Sequence, residues 1–284
     1  MARILVTGAR RGIGREIALK LARAGHTIIA TMRNTKNCDL AKIASTENLS
    51  IIEAVLDVDD DASVATFFAS SLATSGSIDV LINNAGILSV NALEDETMAD
   101  MQAVMNTNFF GAVRCMKAVV PAMRARGSGL IINISSVAGL MAPFAQGAYC
   151  ASKFALEAAS EALAQELAPF GVRVALVEPG IIATDMAVAN LPSPRADSAY
   201  PHGNRMLGFF ANTDASGPAP SVVADTVLGI VSGQITAFRT LSDPGGQGFI
   251  ALRRSLTDEA WIAMSDTLDD GVFFERFAAA GIGA

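Results

Sequence analysis

Short runs of β-branched and aliphatic residues recur along the chain, at 4–6, 27–31, 51–56, 80–82, 130–134 and 172–177, with a seventh expected near 235–240. None alternates strictly between apolar and polar side chains, so each reads as a strand buried on both faces. Segments of helical length separate them, at 13–24, 62–74, 98–126 and 149–169. Parallel neighbours need crossovers of a dozen or more residues, and these segments supply them. The chain is therefore expected to form one α/β domain over residues 1–284. It should be a doubly wound parallel sheet of about seven strands with helices on both faces and ligands at the carboxyl ends of the strands.

Hydrophobic residues make up 51% of the chain and charged ones 17%. That is enough for a large core and excludes global disorder. The uncharged stretch 127–152 is the best membrane candidate, but Asn133, Ser135, Ser136, Pro143 and Gln146 interrupt it. It falls short of the 18 or so continuous apolar residues a span needs and reads as a strand, a loop and the start of a helix. The start, Met1 to Gly8, enters a short apolar strand and lacks the pattern of a signal peptide. Cys38, Cys115 and Cys150 show no paired spacing, which suits a reducing cytoplasm. With His26 and His202 the only histidines and no G-x-S-x-G elbow, neither a metal site nor a Ser-His-Asp hydrolase is expected. A net charge of −7 argues against nucleic acid as a partner. Residues 1–40 nevertheless hold eight basic side chains and two acidic ones, a corner suited to a small anionic ligand.

The region 185–220 breaks the rhythm with Pro192, Pro194, Pro201, Pro218 and Pro220. Loops this long are usually lids or disordered. Met206, Leu207, Phe209 and Phe210 within it could line a substrate pocket, or belong to a small helix in a mobile excursion. Residues 245–284 form a C-terminal extension.

Tyr149 and Lys153 stand four residues apart and share a helix face if the segment is helical. A phenol has an unperturbed pKa of about 10, and a nearby ammonium would favour the phenolate, as a proton shuttle at an alcohol or carbonyl oxygen requires. The first strand runs into Thr7-Gly8-Ala9-Arg10-Arg11-Gly12-Ile13-Gly14 and then a helix. Glycines there let the backbone approach a pyrophosphate seated on the helix N-terminus.

This T-G-x-x-x-G-x-G turn together with Tyr149-x-x-x-Lys153 resembles the short-chain dehydrogenase/reductase family, of Rossmann-type fold. Asn83-Asn84-Ala85-Gly86, Asn108-Phe109-Phe110-Gly111, Asn133-Ile134-Ser135-Ser136 and Pro179-Gly180-Ile181-Ile182-Ala183-Thr184 resemble further family segments in the family's order. The likeness is strong over residues 3–185 and weak beyond. It implies an acid–base role for Tyr149, with Lys153 lowering its pKa and bonding the nicotinamide ribose. It selects Ser136, thirteen residues before the tyrosine, over Ser135, which should bond the backbone instead. It prefers Asn108 to Asn106 as support for a water that relays protons to the lysine. By resemblance the cofactor would lie against Gly8, Gly12, Ile13, Gly14, Asn84, Ala85, Gly86, Tyr149 and Lys153. Asp57 and Val58 would meet the adenine, and Pro179, Gly180, Ile182 and Thr184 the nicotinamide end.

In the family an acid at the end of the second strand binds the ribose of NAD. Here Met32 takes that place and Arg33 follows, while Arg11, with Arg10 as the alternative, stands where NADP enzymes carry a second cation. Guanidinium groups match a 2′-phosphate, so NADP is expected over NAD. The resemblance thus implies an NADP(H)-dependent oxidoreductase acting on a secondary alcohol, ketone or aldehyde of hydrophobic character. The segment from Tyr149 to Glu157 is similar to members acting on steroids and retinoids. The competing reading is a nucleotide-sensing regulator without turnover. Relatives pair through the two long helices, so a homodimer or homotetramer is expected.

Overall fold

The computed structural model describes residues 1–75, 77–184, 194–214 and 217–281, with the backbone alone at 71–75 and 212–214. Its centre is a seven-stranded sheet in the order β3-β2-β1-β4-β5-β6-β7, with every pairing parallel. The strands are β1 (Arg3–Val6), β2 (Thr27–Met32), β3 (Ile51–Val55), β4 (Val80–Asn83), β5 (Gly129–Ile134), β6 (Val172–Glu178) and β7 (Arg239–Leu241). Helices α1 (Gly12–Arg23), α2 (Leu40–Glu47) and α3 (Asp61–Ser75) connect the first four strands. Strand order reverses between β1 and β4, and there a crevice opens at the carboxyl ends.

The period of two along each strand explains why the runs look uniformly apolar. Ile4 and Val6 of β1, Ile28 and Ala30 of β2, and Val80 and Ile82 of β4 enter the core on one face. Leu5, Ile29 and Leu81 enter a second core on the other. Strands β1, β2 and β4 are therefore sandwiched, whereas Ile52 and Val55 of the edge strand β3 stay about half exposed. The first core is closed by Ile17, Leu21 and the helix α8 (Ser221–Val231), the second by Phe67, Phe68, Met116, Met123 and Leu156.

Two expectations need correction. The seventh strand begins at Arg239, because Ile235 instead packs on Gly229, donating its N–H to the Gly229 carbonyl at 2.9 Å. The long helix expected at 98–126 is three elements: α4 (Met98–Met105), a π-helical turn (Asn106–Gly111) and α5 (Ala112–Arg126). Within that wider turn the Asn108 carboxamide is spent on the loop at Ile87, accepting from its N–H at 2.8 Å and donating to its carbonyl at 2.9 Å. The fourth expected helix is α6 (Gly147–Leu167), followed by a 3-10 turn.

Of the expected lid, residues 185–193 and 215–216 lie outside the described residues; α7 (His202–Asp214) falls between them. The extension forms α9 (Pro244–Ser255), α10 (Asp258–Ala263) and α11 (Asp270–Ala279). Phe209 of α7 packs with Phe144, Phe273 and Phe277. Arg205 of α7, 2% exposed, lies 4.3 Å from the ring centre of Phe273, and its Nε donates to Asp270 at 2.7 Å. Among the described residues, no helix is long and apolar enough to cross a membrane.

Leu81 is fully buried in the central strand. Leu81→Ala should cost about 2–5 kcal/mol, seen as a lower urea midpoint with an unchanged slope.

Candidate active site

The turn after β1 is built by close approach. Gly8 has φ +67° and Gly12 φ +56°, values that L side chains rarely adopt. A Cβ on Gly8 would lie 2.8 Å from Ala85 Cα, and one on Gly14 would lie 2.3 Å from Asn84 Nδ2. The segment after β4 is fastened to the turn. Thr7 Oγ1 accepts from the N–H groups of Asn84 and Ala85 at 3.0 Å each, and Asn84 Nδ2 donates to the Thr7 and Gly8 carbonyls at 3.0 and 3.2 Å. The residue before α1, Arg11, makes no side-chain cap, and the start of that helix, where the first N–H groups lie, opens where Gly12, Ile13 and Gly14 line a cavity. This cradle fits a pyrophosphate.

The cavity measures about 780 Å³. Gly8, Arg10, Arg11, Gly12, Ile13 and Gly14 form one wall, and Arg33, Asp57 and Val58 continue it at the ends of β2 and β3. Asn84, Ala85 and Gly86 line it, as do Pro179, Gly180, Ile182 and Thr184 beyond β6. Ser136, Tyr149 and Lys153 face the same space. Of the catalytic and cofactor residues singled out from sequence, only Asn108 is absent from the lining. It is 1% exposed, and its Nδ2 also donates to Ser152 Oγ at 3.0 Å, while that hydroxyl donates to the Tyr149 carbonyl at 2.7 Å. Asn108 thus ties the π turn to the helix that carries Tyr149 and Lys153. Asn106 instead donates to the Asp59 carbonyl at 3.2 Å.

The remaining lining is mostly apolar: Met141, Phe144, Met206, Phe209 and Phe210, with Phe249, Trp261 and Phe277 from the extension. Sequence reasoning anticipated Met206, Phe209 and Phe210; Leu207 is not in the wall. It missed the three extension residues. The Phe273/Phe277 spacing on one helical face was a usable signal for a packed α11, but not for its place at the cavity.

Lys153 is buried, and its Nζ donates to the Ile134 carbonyl at 2.9 Å while lying 5.7 Å from the Tyr149 ring centre. Burial pushes the Tyr149 phenol up to about 12, against a hydrogen bond with the Ser136 hydroxyl. This reverses the expected direction for the protein alone, because the ammonium turns to the backbone and the apolar surroundings dominate. Burial also lowers Lys153 to about 8, opposed by Glu157. Of the two serines, Ser136 is the one whose hydroxyl bonds the phenol. Its hydroxyl also accepts from the Ala138 N–H at 3.1 Å. Ser135 does not use its hydroxyl on the backbone: its Oγ is buried without a partner among the described residues, facing the space beside Gly139.

A second polar cluster lies around Glu157. Arg239 of β7 donates from Nε to Glu157 at 2.9 Å and from Nη2 to Glu161 at 2.6 Å, and stands 3.7 Å from Glu178 Oε1. Burial, reinforced by Glu157 and opposed by Arg239 and Arg254, pushes the Glu178 carboxyl up from 4.5 to about 7. The folded protein then holds a proton there that the unfolded chain releases. This contribution to stability is complete at acid pH and is lost as pH rises from about 4.5 through about 7. Glu178→Gln should flatten that part of the stability curve, measured by urea unfolding at pH 5 and pH 8.

Comparison with known proteins identifies the family and the fold. The family described as short chain dehydrogenase matches residues 2–194. A 3-ketodihydrosphingosine reductase from Bacteroides thetaiotaomicron is 37% identical over 89% of this chain and 91% of its own length. Human retinol dehydrogenase 8 is 43% identical over 64% of this chain and 59% of its own. The crystal structure of a short-chain dehydrogenase from Streptomyces avermitilis superposes with a TM-score of 0.79 at 32% identity, covering 94% of this chain and 99% of that one. Several similar structures hold NADP, and another holds NAD.

Proposed function

The chain belongs to the short-chain dehydrogenase family and is an oxidoreductase acting on CH–OH or C=O groups, and from that premise we propose that it works with NADP(H) on a hydrophobic secondary alcohol, ketone or aldehyde. One observation carries the reading: Ser136, Tyr149 and Lys153 meet in the cavity that the uncapped N-terminus of α1 also enters.

The glycine turn would hold the pyrophosphate, and Lys153 and the 179–184 segment the nicotinamide end. When bound, NADP(H) supplies or accepts a hydride. Tyr149 gives a proton to the substrate oxygen in reduction and takes it back in oxidation, and Ser136 bonds the same oxygen where negative charge develops. Lys153 favours the phenolate through its positive charge. Asn108 has no carboxamide hydrogen left for the cavity, so its share in proton relay falls to its backbone carbonyl in the wide π turn. Tyr149→Phe should lose roughly 10²–10⁴ in rate while NADPH binding, followed by fluorescence titration, is retained.

The choice of NADP rests on this chain's own residues. Arg10 and Arg33 are exposed at the cavity. Met32 lines the end of β2, and Asp39, the nearest acid after β2, is paired with Arg15 at 2.8 Å outside the lining. NADPH should bind more tightly than NADH, with the gap narrowed in Arg33→Ala. NADH binding about tenfold tighter than NADPH, a difference of about 1.4 kcal/mol, would contradict the assignment.

The apolar wall supports a hydrophobic substrate, in keeping with relatives named for a sphingoid ketone and for retinol. Turnover of NADPH with a panel of apolar ketones tests the enzyme against a sensor that binds the nucleotide without reaction. Phe110 and Phe154, about half exposed on the π turn and α6, favour pairing of two copies through these helices.

A further inference from the structure

Glu157 follows Lys153 by one helical turn on α6, at the spacing that places two side chains on the same face. Its side chain is almost wholly buried, and only Oε2 has a partner, Arg239; Oε1 is buried without one among the described residues. It has little room to swing away. A Cβ at Gly139 would fall 2.9 Å from Glu157 Cγ, 2.8 Å from Ser135 Oγ and 3.3 Å from the Lys153 carbonyl. Lys153 is also buried, and its ammonium has a backbone carbonyl as its hydrogen-bond acceptor rather than a carboxylate. A buried ammonium without an ionic partner tends to shed its proton.

We propose that Glu157 is a positioning residue for the reaction: its carboxylate keeps the buried Lys153 charged, and Arg239 sets how much of that negative charge reaches the lysine. The inference rests on the part given to Lys153 in the proposed function, where only the charged form favours the Tyr149 phenolate. Other ionisable groups surround the pair. Tyr149 and Glu161 lie on α6, Arg239 on β7 and Glu178 at the end of β6, and Arg254 of α9 acts on Glu178. Glu161 and Glu178 share Arg239 with Glu157, so the cluster carries three carboxyl groups around one guanidinium. The surplus negative charge leaves Glu157 able to act on its neighbour. Glu157 opposes the effect of burial on Lys153, consistent with this arrangement.

The chain has few lysines, so 13C-lysine labelling resolves the Lys153 Cε signal, assigned by its loss in Lys153→Met. In the protein without cofactor, the titration midpoint of that signal should fall by about one unit in Glu157→Gln. It should fall by less in Glu161→Gln, which removes a more exposed charge from the same arginine and leaves that arginine more fully on Glu157. In Glu157→Gln the high-pH limb of kcat for NADPH-dependent ketone reduction should move down by the same amount as the midpoint, with KM for the ketone little changed. Should Glu157→Gln not fold, Glu157→Asp withdraws the charge by one methylene and should move the midpoint the same way by less. An unmoved Lys153 titration in a folded variant overturns the proposal. A shifted titration in a protein that reduces no carbonyl compound leaves the charge coupling standing and rejects the function assigned to it.

Discussion

The pairing of β1 with β4 is the constraint on which the rest of the molecule depends. It places strands far apart in sequence side by side, with Val6 opposite Ile82, and reverses the order of the sheet between them. The loops beyond these two strands must diverge, and the space between them becomes the cavity. Three glycine-turn contacts keep the gap narrow at its base: Thr7 on the Asn84 and Ala85 N–H groups, Asn84 on the Thr7 and Gly8 carbonyls, and Gly14 against the Asn84 carboxamide. A side chain on either glycine would push the 84–86 segment off the turn. Shape at this point is thus set by the absence of atoms.

From that crevice the reacting groups are fixed by a chain of short hydrogen bonds. Asn108 grips the Ile87 backbone and Ser152, Ser152 bonds the Tyr149 carbonyl, and Lys153 bonds the Ile134 carbonyl at the end of β5. The π turn, α6 and the sheet therefore hold one another in register. The surroundings they create are low in polarity, which pushes the Tyr149 phenol towards its neutral form and Lys153 towards losing its proton. Both shifts oppose an ionised Tyr–Lys pair. Among this chain's own groups, the hydrogen bond of Ser136 opposes the first shift and the charge of Glu157 the second.

Much of this was legible in the sequence because it is local. The inner strands stand out since both faces are buried, β3 because its run is apolar even though Ile52 and Val55 are about half exposed, and the glycine turn since its spacing is short and follows a strand. The seventh strand was misplaced because Ile235 is apolar for another reason, covering the end of α8 at Gly229. The π turn left no mark, since Asn106 to Gly111 can sit in an ordinary helix. Phe249, Trp261 and Phe277 lie on three separate helices and converge only through tertiary packing, the first two against Val137 and Met141 and the third against Phe209 of α7. The pKa direction of Tyr149 was likewise out of reach. The Tyr149–Lys153 spacing is written in the sequence, but the burial that overrides it is tertiary.

The central claim is that this cavity carries a hydride between NADP(H) and a carbonyl carbon. The most direct measurement uses NADPH deuterated at the transferable position together with apolar ketones and aldehydes, and reads the products by mass spectrometry. The account predicts an alcohol carrying deuterium on the former carbonyl carbon, formed by the native protein and not by Tyr149→Phe at a comparable rate. Deuterium that stays on a tightly bound cofactor across the panel would contradict it.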